Sequence, residues 1–385
     1  SATYVSGSGS RPLVFQYTIQ TGDNDSNGIS IGADALDLDN ATIKDAAGND
    51  ATLTHSSVDN NSSYKVDAIL PTIDSVEITN ATTGMQNNFL NAGDVVSVTA
   101  TFSEVVNKTG TPQLTLAIGS DNETATYASG TGSAPLVFEY TIQAGDNDTD
   151  GISIGANAID LDNGPATISD PAGNNAILTH SSVDNNSSYM VDTEAPTVDN
   201  FTLSDVALKS GDNATVTLGF SEVVIGFTAA DITNPNGALP SMSSIDDNKT
   251  WTGTFTPTTN TDVATNTLSL SANSYTDLAG NNGPSATFSN YVVETRLPTI
   301  SGVVITSATG VQNDFVNAGD VVTLTASFSE SVIVDNTSNN PTLTLALESS
   351  NPNATYTSGN NSTALVFQYT IQTGDTDSNG ISIGS

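Results

Sequence analysis

The 385-residue chain reads as an all-β protein, a tandem array of antiparallel β-sandwich modules forming an extended rod. Three observations predict this. Thr, Ser, Asn, Asp, Gly and Val dominate the composition, while the straight-chain helix formers are scarce. Short runs of alternating apolar and polar residues recur about every 8 to 15 residues, the pattern of half-buried strands. Long stretches also repeat: LVFQYTIQTGDNDSNGISIG begins at Leu13, LVFEYTIQAGDNDTDGISIG at Leu136 and LVFQYTIQTGDTDSNGISIG at Leu365.

The interval between the second and third copies is long enough to hold a whole repeat plus a different, shorter module. We call the repeated unit type A and the shorter one type B. The boundaries that follow are residues 1–68 for the C-terminal half of a type A module, 69–194 for a complete type A module, 195–296 for type B, and 297–385 for the N-terminal part of another type A. With Ser1 at its start and partial modules at both ends, the chain is expected to be a segment of something longer.

Strands are expected in type A at Thr72 to Thr79, Val95 to Phe102, Gln113 to Ile118, Thr124 to Tyr127, Leu136 to Gln143, Ala158 to Ile168 and Tyr189 to Val191. Val96, Val98, Ala100 and Phe102 should share one face, as should Leu136, Phe138, Tyr140 and Ile142. Seven short strands in one module suggest a sandwich. In type B the same order gives Thr197 to Leu203, Ala214 to Phe220, Trp251 to Phe255, Thr267 to Leu270 and Thr287 to Val293. At most one helical turn is expected, near Thr228 to Asp231.

Seven Lys and Arg against 42 Asp and Glu leave a formal charge of −35, which repels phosphate backbones and anionic lipid headgroups. Nucleic-acid binding is excluded on that ground, and no apolar run approaches the roughly 18 to 20 residues of a membrane-spanning helix, so membrane insertion of this segment is not expected. With two His and no Cys, thiolate zinc sites, disulfides and cysteine nucleophiles are out, and imidazole for general-base work is nearly absent. No enzymatic activity is expected. His55 and His180 occupy equivalent repeat positions, which suggests structure, and Trp251 after a DDNKT turn is expected in a core rather than on a sugar-stacking platform. Sequons such as Asn80, Asn107, Asn122 and Asn200 arise readily in so Asn- and Thr-rich a chain and imply glycosylation only in a host that glycosylates exported proteins.

A Pro-containing opening segment, a second strand ending in FSEVV, a late D-x-AGN loop and a closing V-D-T-x-x-P recur in fixed order. FSEVV spans Phe102 to Val106 and Phe220 to Val224, with FSESV at Phe328 to Val332; the AGN loops are Asp45 to Asn49, Asp170 to Asn174 and Asp277 to Asn281. This combination resembles the bacterial Ig-like extender domains of giant, calcium-dependent surface adhesins of the RTX, type I-secreted kind. The resemblance implies extracellular modules at the cell surface that hold an adhesive region away from the cell, in adhesion and biofilm formation, and that Ca²⁺ stiffens.

Two sets of oxygen ligands stand out. In an Ig-like sandwich the FSE and AGN segments fall at the pole where the chain comes in, so Glu104, Asp170 and Asn174 should meet Asp67 of the linker, and Glu222, Asp277 and Asn281 should meet Asp192. Glu330 holds the same FSE position in the last module. Gathered carboxylates repel unless a hard cation sits among them, and an all-oxygen set suits Ca²⁺; the bland reading is that these acids cap loops. The second set is the GDxDx[DN]G run, with Asp23, Asp25 and Asn27, Asp146, Asp148 and Asp150, and Asp375, Asp377 and Asn379. Alternating oxygen side chains before Gly match the opening of a calcium loop, but the distal bidentate Glu is missing, and an Asx-rich turn uses the same residues.

The leading expectation is a non-enzymatic spacer whose partners are neighbouring Ig-like modules of the same longer chain. The alternative is a repeating subunit of an extracellular filament or sheath, in which identical chains complete each other's half-modules by strand exchange. A carbohydrate-binding module would need an aromatic platform that the sequence lacks. The linkers VDAILP, VDTEAP and VETRLP are too short for flexible tethers, and the third, with Glu294 and Arg296, is expected to hold its ion less firmly or to use the Arg in a salt bridge, making Glu294 to Pro298 the weakest hinge.

Overall fold

In the computed structural model, which describes residues 1–81, 84–161 and 164–384, the chain is built of strands, with one 3₁₀ turn at Ala229–Asp231. That turn lies where a helical turn was expected, opened by Thr228 in a reciprocal cap with Asp231.

The complete type A module grows around strand Val95–Thr109. Its first half pairs antiparallel with Ile73–Ala81 on one side and Ser133–Thr141 on the other, while Asn107 to Thr109 pair with Thr167–Ser169. The sheet continues through Asp121–Ser129 and Gln113–Ile118 to Ile159–Asp160. A second, three-stranded sheet joins Asn147–Asp148, Met190–Asp192 and Phe89–Leu90. Side-chain alternation sends Val96, Val98, Ala100 and Phe102 inward, opposite Leu136, Phe138, Tyr140 and Ile142, and all eight are buried. Each buried aliphatic or aromatic chain of this kind contributes about 1.5–3 kcal/mol through loss of apolar surface to water.

The strand expected over Ala158 to Ile168 is instead two, Ile159–Asp160 and Thr167–Ser169, and they pair with different partners. Gly164 at φ +115°, followed by Pro165, turns the chain between them. Asp162 and Asn163, within that expected strand, lie outside the described residues.

Type B is a sandwich of two separate sheets. One contains Val198–Leu203, Ala214–Phe220, Thr250–Pro257, Gly237–Ala238 and Ser243–Ser244; the other contains Ala207–Lys209, Ala286–Glu294, Asp262–Leu270 and Ile232–Thr233. Its core is aromatic, with Phe220 against Tyr275 at 4.8 Å and Phe255 against Tyr291 at 5.3 Å between ring centroids. Trp251 packs edge-on to Phe227 at 5.1 Å and is half-buried at the margin of this core.

The remaining segments are parts of the same design. Residues 297–384 form a six-stranded sheet with its own core around Leu324, Leu345 and Phe367. Residues 1–68 form only two small ladders. There Phe15, Tyr17, Ile19, Ile29 and Ile31 are exposed, although their repeat equivalents Phe138, Tyr140, Ile142, Ile152 and Ile154 are buried. The difference is the absence of facing strands: nothing equivalent to Ile73–Ala81 or Val95–Thr109 precedes them in this sequence.

Candidate metal centres

Each module opens with the same local lock. The Ser of FSE pairs with the Thr after the opening Pro, its backbone donating to that Thr's carbonyl and its hydroxyl accepting the Thr N–H: Ser103 with Thr72, Ser221 with Thr197 and Ser329 with Thr299. A register shift follows at once in all three strand pairs. The next residue, Glu104 or Glu222, is thereby set beside the incoming linker, and Glu330 follows Ser329 in the same way.

The AGN loop reaches the same place. Asp170 accepts from the backbone N–H groups of Gly173 and Asn174 at 2.7 and 2.8 Å, and Asp277 from Gly280 and Asn281 at 2.8 and 2.9 Å. The Asn amide bonds its own loop's Asp and also crosses to the linker, donating from Asn174 to the Asp67 carbonyl at 3.0 Å and from Asn281 to the Asp192 carbonyl at 2.9 Å. Asp45 and Asn49 repeat the internal geometry in the first segment.

Two carboxylate triads result, Asp67 with Glu104 and Asp170, and Asp192 with Glu222 and Asp277. Within each, one oxygen per residue lies no more than 4.8 Å from the others. Asp170 and Asp277 are buried, and each triad draws on a linker, the residue after the FSE serine and a loop widely separated in sequence. Three like charges this close are costly: one pair at about 5 Å repels by roughly 3 kcal/mol at an effective dielectric near 20.

The protonation equilibria register that cost. Burial, then the charges of Asp192, Asp277 and Glu194, push the Glu222 carboxyl up to about 7, with Lys249 opposing. Burial, Asp67 and Asp170 raise Glu104, and burial, with Asp277 and Glu194 adding to it, raises Asp192. Burial would raise Asp170 too, but hydrogen bonds from Asn174, Gly173 and Ala172 outweigh it and hold that carboxyl below its usual range. The first centre therefore combines an acid kept ionised, Asp170, with a Glu whose carboxyl is raised, and the second holds two raised carboxyls, Glu222 and Asp192, whose negative charge lacks a counterion. A hard divalent cation with oxygen preference fits such a donor set.

Glu330 has no such companions. Its Oε1 is buried without a hydrogen-bond partner, and no D-x-AGN loop follows it in this sequence. At the same junction Arg296 Nε meets Asp262 Oδ2 at 2.9 Å, the salt bridge foreseen for that Arg, and among the described residues no carboxylate triad forms there.

The GDxDx[DN]G loops lie at the far pole, beside the outgoing linker: Asn147 pairs with Asp192, and Asn24 with Asp67. Their carboxylates face their own turns. Asp23, Asp146 and Asp375 each accept from a Tyr hydroxyl (Tyr17, Tyr140, Tyr369) and from a Gln backbone N–H. Asp25, Asp148 and Asp377 accept from the two N–H groups that follow, those of Asn27 and Gly28, Asp150 and Gly151, and Asn379 and Gly380, and Asp148 also accepts from Gly119 at 2.8 Å. Asp150 takes the Asn185 amide. These bonds make the loops Asx turns, and the Gly is required: a Cβ on Gly151 would come within 2.1 Å of the Asn186 carbonyl oxygen. Asp148→Ala should accordingly destabilise the type A module by about 1–3 kcal/mol, the cost of orphaning buried N–H groups. Urea unfolding should give the same loss in calcium and in chelator; a loss confined to calcium would make this loop an ion site.

His55 and His180 clasp the same hairpin in both repeats, each accepting from a backbone N–H (Ala35, Ala158) at Nε2 and meeting the next residue's carbonyl at Nδ1. Sequence reasoning passed over a further set of contacts. Asn87 and Asn91 of the type A module donate to Leu278 and Ala279 of type B, and the signal was the recurrence of a Q-N-[ND]-F-[LV]-N-A-G-D loop at Gln86 and Gln312.

The family of bacterial Ig-like domains matches residues 192–293, the type B module. Among solved structures, an I9–I11 tandem from titin covers 80% of the chain and 97% of its own at 8% identity with a TM-score of 0.26, too low to carry an argument. No curated protein matches the chain.

Proposed function

We propose that the chain is a non-enzymatic spacer segment of an exported bacterial surface adhesin, in which Ca²⁺ at the module junctions stiffens a row of Ig-like domains and projects an adhesive region from the cell. The supporting observation is the pair of carboxylate triads, each made from a linker and the two segments that the next module brings to its incoming pole. At these two junctions the chain's own residues do the work: the FSE serine fixes the Glu, the AGN loop presents a buried Asp, and the Asn amide ties that loop to the linker backbone. A cation there would couple the linker to its module across three otherwise independent segments.

Calorimetric titration of the chelator-treated chain should show tight Ca²⁺ binding that Glu104→Gln and Glu222→Gln each weaken at one site. Binding unaffected by both variants would remove the proposal's basis. A second reading, mutual completion of half-modules between identical chains in a filament, draws on the exposed rows at Phe15 to Ile31 and at Ile300, Val304 and Phe315. Electron microscopy separates the two, isolated rods supporting the spacer and polymer of indefinite length the filament.

A further inference from the structure

The loop before strand Val95–Thr109 contains a tight hairpin turn. Asn87 and Asn88 sit at φ 52° and 69°, and the backbones of Gln86 and Phe89 exchange hydrogen bonds of 3.0 and 2.8 Å. Two consecutive left-handed residues define a type I′ turn, a shape that Asn favours and that leaves little freedom in where the loop points. From it, Asn87 Nδ2 donates to the Leu278 carbonyl at 2.9 Å and Asn91 Nδ2 to the Ala279 carbonyl at 3.1 Å. Gln86 lies over Gly280, where an added Cβ would come within 2.7 Å of its Nε2. All three contacts fall on the D-x-AGN loop of the following module, and none uses a carboxylate.

The hairpin exists again, already formed, in the last module. Asn313 and Asp314 have φ 51° and 67°, Gln312 and Phe315 exchange the same backbone bonds, and Asn317 N–H donates to Asp320 as Asn91 N–H does to Asp94. Gln312, Asn313 and Asn317 thus stand in the places of Gln86, Asn87 and Asn91. Type B differs: its corresponding stretch, Ser204 to Asp212, reads SDVALKSGD and offers no side-chain amide.

We propose that the type A hairpin is a socket for the D-x-AGN loop of whichever module follows, a clamp between modules that needs no cation. The recognised groups are two backbone carbonyls held outward by the Asp-centred turn of that loop. Carbonyls are present whatever side chains occupy the loop, so modules of either type fit, and the socket at Gln312 to Asn317 takes the D-x-AGN loop of a further Ig-like module. The junction between the complete type A module and type B is then held twice, by carboxylates with their ion and by amides, whereas type B has no amide hairpin to offer the module after it. The inference rests on the tandem-module reading but not on calcium.

Two glycines provide an internal control. Gly173 and Gly280 occupy the same loop position at φ +97° and +94°, so Ala strains both backbones alike, yet a Cβ on Gly173 meets nothing within 4 Å. The chain has no Cys, so spin labels at Thr126→Cys and Thr254→Cys report the spacing of the two modules in the full chain by pulsed dipolar spectroscopy. In excess chelator the otherwise unaltered chain should retain a narrow distance distribution. Asn87→Ala/Asn91→Ala and Gly280→Ala should lose it, and Gly173→Ala should keep it. A double variant as narrow as its parent overturns the socket, as does equal behaviour of the two glycine variants. A parent broad in chelator but narrow in calcium also overturns it while leaving the calcium-stiffened spacer intact, and a parent broad in both overturns socket and spacer together.

Discussion

Calcium should raise the melting temperature of the type B module by roughly 10–20 °C when present about a hundredfold above its dissociation constant. Binding to the folded state alone contributes about 2.7 kcal/mol at that ratio, and a domain near 100 residues shifts by about 4–8 °C per kcal/mol. The site responsible is Asp192, Glu222 and Asp277, and Glu222→Gln should change rank with its parent between the two conditions. In chelator the variant should melt above the parent, because a buried negative charge beside two others has gone; in calcium it should melt below it, because a ligand has gone. Acidity should act in the same sense as the substitution. The Glu222 carboxyl titrates near 7 in the fold against 4.5 ordinarily, so the folded state binds the extra proton between those values. Without calcium, the stability it confers is complete below about 4.5 and is lost as pH rises through about 7. With calcium bound the carboxylate is needed ionised, so acidification from 7.5 to 5.5 should stabilise the chelated chain and weaken calcium binding. Scanning calorimetry at the two pH values, with and without chelator, measures all four corners; melting curves that do not respond to calcium would refute the assignment.

Strand faces were legible in the sequence because burial imposes a period of two. Val96, Val98, Ala100 and Phe102, with Leu136, Phe138, Tyr140 and Ile142, are assigned inward by spacing alone, and the fold buries them. The junction triads were legible for a different reason, since recurring FSE and AGN motifs combined with alternating strand directions place three segments at one pole. The GDxDx[DN]G loops show where this reasoning stops. An Asx turn and a calcium loop use the same oxygens at the same spacing, and the backbone N–H groups of Gly119, Asp150 and Gly151 that bond Asp148 account for the turn without an ion. Unfolding of Asp148→Ala with and without calcium decides between the two. The amides of Asn87 and Asn91 were hidden similarly, because Asn in a tight turn needs no explanation beyond the turn, and its second use emerges only when another module lies against it. Turn chemistry also explains why the strand expected over Ala158 to Ile168 divides, Gly164 and Pro165 outweighing the apolar residues on either side.

Trypsin should find the weakest junction directly. The chain offers seven Lys and Arg, and two of them stand at linkers: Lys65, two residues before Asp67, and Arg296, next to Leu297. Cleavage requires a segment to open locally, and its rate follows the population of the open form when closing is fast. Around Lys65, opening breaks the Asp67 triad and the Asn174 bond to the Asp67 carbonyl. Calcium about a hundredfold above its dissociation constant should therefore slow that cut by roughly a hundredfold. At Arg296 the restraints are of another kind. Thr295 is buried, with its hydroxyl bonded to the Thr258 carbonyl, but Leu297 beyond it is 65% exposed and the Arg296–Asp262 pair is half in water, where such pairs contribute about 0–1 kcal/mol. Calcium should leave that cut nearly unchanged, so that of the two linker bonds the one after Arg296 is cut first in calcium, and Asp262→Asn should accelerate the cut only slightly. Mass spectrometry of a digestion time course identifies both products. Equal protection of the two bonds by calcium would place an ion at the third junction as well, and equal indifference would mean that packing and Pro, rather than calcium, set the stiffness of the first.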